Sequence, residues 1–164
     1  TFGGLGLPPQ PTTEQFENNL AMTLHSKSKN NAAAIWLESE SSRIGQINIH
    51  HTFFNQMKTA PRLHISIPFD QRLEYIFAGY GQFSVPDLIA AVERIKKRLG
   101  GLDTKNTLEY LISGDIKMAF RILLKYYDKY YEKSKSIFQE AFITIDLSTT
   151  DVVTNTKIIL NKIK

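Results

Sequence analysis

The sequence predicts an α/β fold of three layers, a parallel sheet with helices on both faces. Three observations lead there. Short apolar runs at 32–37, 63–67 and 142–146 read as strands buried on both faces. The longer segments between them repeat apolar residues at helical spacing. Strands that alternate with helices pair in parallel, because each crossover helix carries the chain back to the same end of the sheet. With 164 residues, 42% of them hydrophobic, the chain can fill one core, so a single domain over residues 1–164 is expected.

The chain opens on Thr1 and a glycine-rich turn, Phe2-Gly3-Gly4-Leu5-Gly6, as an excised fragment would. This turn lacks the Lys-Ser/Thr ending of a phosphate-binding loop and reads as a turn or a flexible approach to a ligand. After Pro8, Pro9 and Pro11, Thr12 and Gln15 stand at capping-box spacing, and Phe16, Leu20 and Leu24 give the helix that follows one apolar face. Ala32 to Leu37 is the first strand, and Leu63 to Ile67, closed by Pro68, the second. Leu73, Ile76 and Phe77 form a helical pattern that Gly79 and Gly81 break. Ser84 starts a helix carrying Leu88, Ile89, Val92, Ile95 and Leu99, and Gly100-Gly101 stops it. A shorter helix follows Asp103, and another runs through Ile116, Phe120, Leu123, Leu124 and Tyr127. Phe142 to Asp146 is the third strand, and Thr149 or Thr150 caps a final helix ending near Ile163.

Cysteine is absent, which excludes disulfides, thiolate metal sites and a sulfur nucleophile within these residues. His25, His50, His51 and His64 show no ligand spacing, so no metal site is assigned. No run suits a membrane span or a signal peptide, and the expected location is cytoplasmic, without a membrane partner. The net charge of +4 is uneven: residues 1–50 carry three Lys/Arg against four Asp/Glu, and residues 51–100 carry seven against four. A modest basic excess suits a polyanionic partner and is equally common in ordinary domains.

Three segments bear chemistry. Glu38-Ser39-Glu40-Ser41-Ser42-Arg43 follows directly on the first strand, and in parallel sheets ligands gather at the carboxyl ends of strands. Acids there can hold a metal or water near phosphates and an arginine can bind phosphate bidentately; the other reading is a capped loop with a local Glu–Arg pair. Arg94, Lys97 and Arg98 share neighbouring faces of one helix, either to track a phosphate backbone or as a solvated helix end whose cations complement the dipole. Tyr126, Tyr127, Tyr130 and Tyr131 are interleaved with Lys125, Lys129 and Lys133. They offer stacking platforms for unstacked bases, or one pair packs inward while the other covers the surface.

In order along the chain, several segments resemble the carboxy-terminal domain of tRNA 2-selenouridine synthases. They are Phe2-Gly3-Gly4-Leu5-Gly6, Gln10-Pro11 with Gln15-Phe16-Glu17-Asn18, and Glu38 through Gly45. The likeness continues through Met57 to Pro61, Pro68 to Arg72, Arg98-Leu99-Gly100-Gly101 and Tyr126 to Tyr130, and fades after Ser134. Such enzymes join a cysteine-bearing rhodanese-like domain to a P-loop domain similar to nucleotide kinases. They replace the sulfur of 2-thiouridine at the tRNA wobble position with selenium from selenophosphate, through an S-geranylated intermediate made from geranyl diphosphate.

The resemblance implies a P-loop kinase-like domain without its first strand and P-loop, and without the rhodanese-like part. It implies tRNA as partner, and selenophosphate and geranyl diphosphate as substrates of the whole enzyme, with no cofactor in this chain. Gly3, Gly4, Glu38, Ser39, Glu40, Ser42 and Arg43 would lie near the diphosphate; Arg94, Lys97, Arg98, Tyr127 and Tyr130 would face tRNA. No catalytic residue is assigned. The missing strand would lie between 32–37 and 63–67, and another chain or a segment outside this sequence is expected to supply it. A fragment of a nucleotide or small-metabolite kinase and a non-catalytic RNA-binding module are the alternatives.

Overall fold

The computed structural model describes residues 4–29, 34–39, 41–135 and 143–163. These residues form an α/β structure with seven helices and two small two-stranded sheets. They fall into two compact units, one spanning Leu7–Arg62 and the other comprising the rest.

In the first unit α1 spans Thr13–Lys29. Thr12 Oγ1 accepts from the Gln15 amide at 3.2 Å, while the Gln15 side chain bonds forward to Asn19 Oδ1 at 2.8 Å and leaves the capping box half made. Phe16, Leu20 and Leu24 are the partly buried stripe on this helix. A hairpin follows, β1 (Arg43–Ile44) antiparallel to β2 (Ile47–Asn48). Gly45 turns it at φ +64, a conformation that suits glycine. The Gln10 side chain acts as a short extra strand, donating to the Ile44 carbonyl at 3.0 Å and accepting from the Gln46 amide at 2.9 Å. A Cβ on residue 45 would fall 2.3 Å from Gln10 Oε1, so glycine there serves both the turn and the clamp. Ile47 and Ile49 are buried, and α2 (His51–Thr59) closes the unit.

Over its described residues, 34–37, the strand expected at 32–37 is not formed. Residues 34–39 lie in no helix or strand, and Ile35, Trp36 and Leu37 are exposed, Trp36 at 58%. The physical reason is the lack of a partner: an apolar run becomes a buried parallel strand only beside another strand, and among the described residues β1 pairs only with β2 and β3 only with β4. Ala32 and Ala33 lie outside the described residues.

The second unit begins with β3 (Leu63–Ser66), as expected from 63–67. Helix α3 (Phe69–Tyr80) then runs through Gly79 and stops at Gly81, because a lone glycine costs a helix only about 1 kcal/mol and Leu73, Ile76 and Tyr80 hold α3 against the core. Ser84 caps α4 (Val85–Leu99), its Oγ accepting from the Asp87 amide at 3.3 Å, with Pro86 in the first turn. Gly100, at φ +92, ends α4 and opens α5 (Gly101–Ser113), so this helix starts ahead of the expected Asp103. Helix α6 spans Ile116–Lys135.

Leu73 of α3, Leu88, Val92 and Ile95 of α4, Leu111 of α5 and Phe120 and Leu123 of α6 form one buried core. Three ion pairs tie α3 to α6: Arg72 with Asp128, Glu74 with Lys117, and Asp70 with Arg121. The Phe69 ring has the Arg72 and Arg121 guanidinium carbons 5.8 and 5.4 Å from its centre. The Pro68–Arg72 segment is thus the place where α3 is fastened to α6.

Strand β4 (Ile143–Asp146) pairs in parallel with β3, from Leu63 opposite Ile143 to Ser66 opposite Asp146. The described parallel sheet therefore has two strands, and Phe142 of the expected third strand lies outside the described residues. Asp151, rather than Thr149 or Thr150, caps α7 (Val152–Lys162), accepting from the Thr154 amide at 2.8 Å. Its bonds to Thr154 hold the Asp151 carboxyl below its ordinary pKa. Thr149 instead supports the cap, its Oγ1 accepting from the Asp151 amide at 3.1 Å.

Candidate nucleic-acid interface

Helix α4 ends in Arg94, Lys96, Lys97 and Arg98, which take its outward positions while Ile95 and Leu99 take the inward ones. Lys96 is held by Glu93 at 2.7 Å, and Lys97 and Arg98 are exposed in the last turn, where positive charge is favoured. Arg94 is also exposed.

The carboxy-terminal half of α6 carries the four tyrosines on two adjoining faces. Tyr126 and Tyr130 stack with centroids 6.5 Å apart, and Tyr127 and Tyr131 are 6.4 Å apart. Tyr126 and Tyr127 meet edge-on at 5.2 Å, as do Tyr130 and Tyr131 at 5.9 Å. Tyr126 and Tyr127 are partly buried, whereas Tyr130 and Tyr131 are 52% and 55% exposed. One pair packs inward and the other presents its rings to solvent, flanked by exposed Lys125 and Lys129.

Burial pushes the Tyr127 hydroxyl up to about 12, with Tyr126 adding to the rise and Arg98 opposing it. The Arg98 charge, near the end of α4, thus acts on the Tyr127 hydroxyl of α6. Because the folded chain keeps this proton longer than the unfolded chain does, stability conferred by neutral Tyr127 is complete below pH 10 and is lost as pH rises from 10 to about 12. An ultraviolet titration of the folded protein should show one tyrosine ionising late, and Tyr127→Phe should remove that late step alone.

The acidic segment behaves differently. Glu38 and Ser39 are exposed in the first unit, and the Arg43 side chain turns back so that its Nε donates to the Gly45 carbonyl at 3.1 Å. Ser41 Oγ donates to the Arg43 carbonyl at 2.7 Å, and the Ser42 carbonyl accepts from the Ile49 amide at 2.8 Å. These bonds build the hairpin. Gly4 is an exposed turn residue of the second unit, next to Leu5, which packs on the helical core. Gly3 and Glu40 lie outside the described residues.

Sequence reasoning missed three residues here. Gln10 clamps the hairpin across 34 positions of chain. Arg72 donates to the Ile67 carbonyl at 2.9 Å and holds Asp128 bidentately at 2.6 and 2.9 Å, a hydrogen bond that raises its own pKa. Asn155 of α7 is buried, its Nδ2 donating to the Thr149 carbonyl at 2.8 Å and its Oδ1 without a partner among the described residues. The first two had a signal, their places within the Gln10-Pro11 and Pro68–Arg72 motifs, and Asn155 had none. Among the described residues no cluster of three or more His, Asp or Glu side chains is arranged to hold a metal ion, and no helix is long and apolar enough to cross a membrane.

Residues 1–157 match the family model described as the tRNA 2-selenouridine synthase AAA domain, so the likeness extends past Ser134, where the motifs fade. A tRNA 2-selenouridine synthase from Shewanella oneidensis is 31% identical over 159 residues, covering 79% of this chain and 42% of that protein. One from Hydrogenovibrio crunogenus is 32% identical over 110 residues, covering 61% of this chain and 30% of that protein. One from Nitrosomonas europaea is 28% identical over 168 residues, covering 99% of this chain and 42% of that protein. The chain thus spans at most about two fifths of the length of these curated relatives. No solved structure matches it.

Proposed function

The chain belongs to the tRNA 2-selenouridine synthase family, and on that premise we propose that it supplies the tRNA-binding face of an enzyme that converts 2-thiouridine in tRNA to 2-selenouridine. The observation that carries this reading is the exposed pair Tyr130 and Tyr131 flanked by exposed Lys125 and Lys129, which sets rings for unstacked bases beside cations for phosphate on one helix. Arg94, Lys97 and Arg98 contact the RNA backbone, and Tyr130 offers an exposed ring for stacking.

The same reading extends to the fold. A strand carrying a phosphate-binding loop pairs with the edge of β3 that the described residues leave without a strand, and completes a three-layer, kinase-like sheet. Geranyl diphosphate and selenophosphate are substrates of that whole assembly. Glu38, Ser39, Glu40, Ser42 and Arg43 belong to its diphosphate side.

The test is binding of the chain to tRNA with and without 2-thiouridine, followed across salt concentrations. Three phosphate contacts should give a log–log salt slope of about −2 to −3, with tighter binding of the thiolated tRNA. Equal binding of both tRNAs would instead mark a general RNA-binding module, and nucleotide binding without tRNA binding would mark a kinase fragment.

A further inference from the structure

Helix α5 packs against α4 and α6 and buries Thr104, Thr107 and Leu111. Its opposite face carries Leu102, Lys105, Glu109 and Ile112, all exposed, with the two apolar residues at 73% and 72%. One exposed leucine is ordinary surface. Among the described residues, however, no large hydrophobic side chain is more exposed than these two, and both stand on the same stripe of one helix.

The stripe is symmetric in its order. Leu102 and Ile112 lie five residues either side of Thr107, and Lys105 and Glu109 lie two residues either side of it. With about 3.6 residues per turn, the four fall within an arc of about 80° centred directly opposite Thr107, which is fully buried. The stripe is about 15 Å long. It has an apolar residue at each end and a charge pair in the middle, the Lys105 ammonium 3.8 Å from the Glu109 carboxylate.

Turned end for end, such a stripe is complementary to itself: apolar ends meet apolar ends, and each charge meets its opposite. A two-fold interface requires this, because one patch must serve as both halves of the contact. A parallel pairing of the same helices would set Lys105 against Lys105 and Glu109 against Glu109, which like-charge repulsion disfavours. Beside the stripe, a cleft of about 460 Å³ between α4 and α5, lined in part by Lys105, Leu108, Glu109 and Ile112, leaves room for side chains of a second helix.

We propose that a second copy of this chain docks on this face, α5 antiparallel to α5 about a two-fold axis at Thr107. Leu102 of each protomer then packs on Ile112 of the other, and Lys105 of each pairs with Glu109 of the other. The four central charges alternate in sign, so each has one partner along its own helix and one across the axis. A contact confined to one helix pair is smaller than the roughly 1,200 Å² of a standard stable interface. The dimer is accordingly weak, and dilute protein is monomeric.

The test is analytical ultracentrifugation of the full chain at low salt, from low micromolar to near-millimolar concentration. The average mass should rise from monomer towards dimer with concentration. Lys105→Glu and Glu109→Lys each set like charges across the axis, and each should weaken the dimer about tenfold or more. Mixed in equal amounts, the two variants should associate again, because every pair across the axis of the mixed dimer is then opposite in sign. Both positions are exposed, so the variants should fold, and recovery in the mixture is a result that misfolded chains could not give. A chain that stays monomeric at every concentration would overturn the proposal. So would a dimer indifferent to both reversals, which would place the contact elsewhere, or a mixture that fails to recover.

Discussion

Phe120→Ala should destabilise the helical unit by about 3–5 kcal/mol, the usual range when a buried aromatic ring is removed from a core. Phe120 is 1% exposed near the start of α6 and meets Phe77 of α3 edge-on at 6.5 Å. Its neighbours in the core come from all four helices α3 to α6, so no single side chain can move in to fill the space. Domains of this size are stable by about 5–15 kcal/mol, so the loss is a large fraction of the total. Urea unfolding followed by circular dichroism measures it. Ile112→Ala, at an exposed position of α5, should change stability by less than about 0.5 kcal/mol in the same experiment. A Phe120 variant as stable as the Ile112 variant would show that the four helices do not share one core.

What the sequence made legible was local. The apolar spacing from Leu88 to Leu99, the Ser84 cap and the Gly100 stop define α4 within its own residues, and α4 forms as expected. Gly79 misleads because the packing of α3 outweighs the intrinsic cost of one glycine. The cap of α7 fell to Asp151 because several residues at 149–151 can cap a helix, and spacing alone does not choose among them. The run at 34–37 has the composition of a buried strand, but composition cannot supply the neighbour that a strand requires. Gln10 with the hairpin, Arg72 with Asp128, and Asn155 with Thr149 depend on residues brought together by folding. For the candidate interface, the basic and tyrosine segments were each visible, while the action of the Arg98 charge on Tyr127 was not.

Replacing Lys97 and Arg98 together by glutamate should weaken tRNA binding on the order of tenfold or more at low salt and make the salt slope shallower by about 2. Both side chains are exposed, so the fold should be retained and the change should act through charge. The salt slope separates loss of phosphate contacts from unfolding, which would abolish binding at every salt concentration. A second readout comes from Tyr127. Because Arg98 opposes the rise of the Tyr127 pKa, the glutamate should move its ionisation further upward. Lys157→Glu, at an exposed position on α7 away from the α4 and α6 residues of this interface, makes a control that changes net charge in the same direction. If the control flattened the salt slope as much per charge as the double variant, the basic end of α4 would be acting only through the overall charge of the protein. A shift of Tyr127 with unchanged tRNA affinity would keep the geometry and move the RNA elsewhere on the molecule.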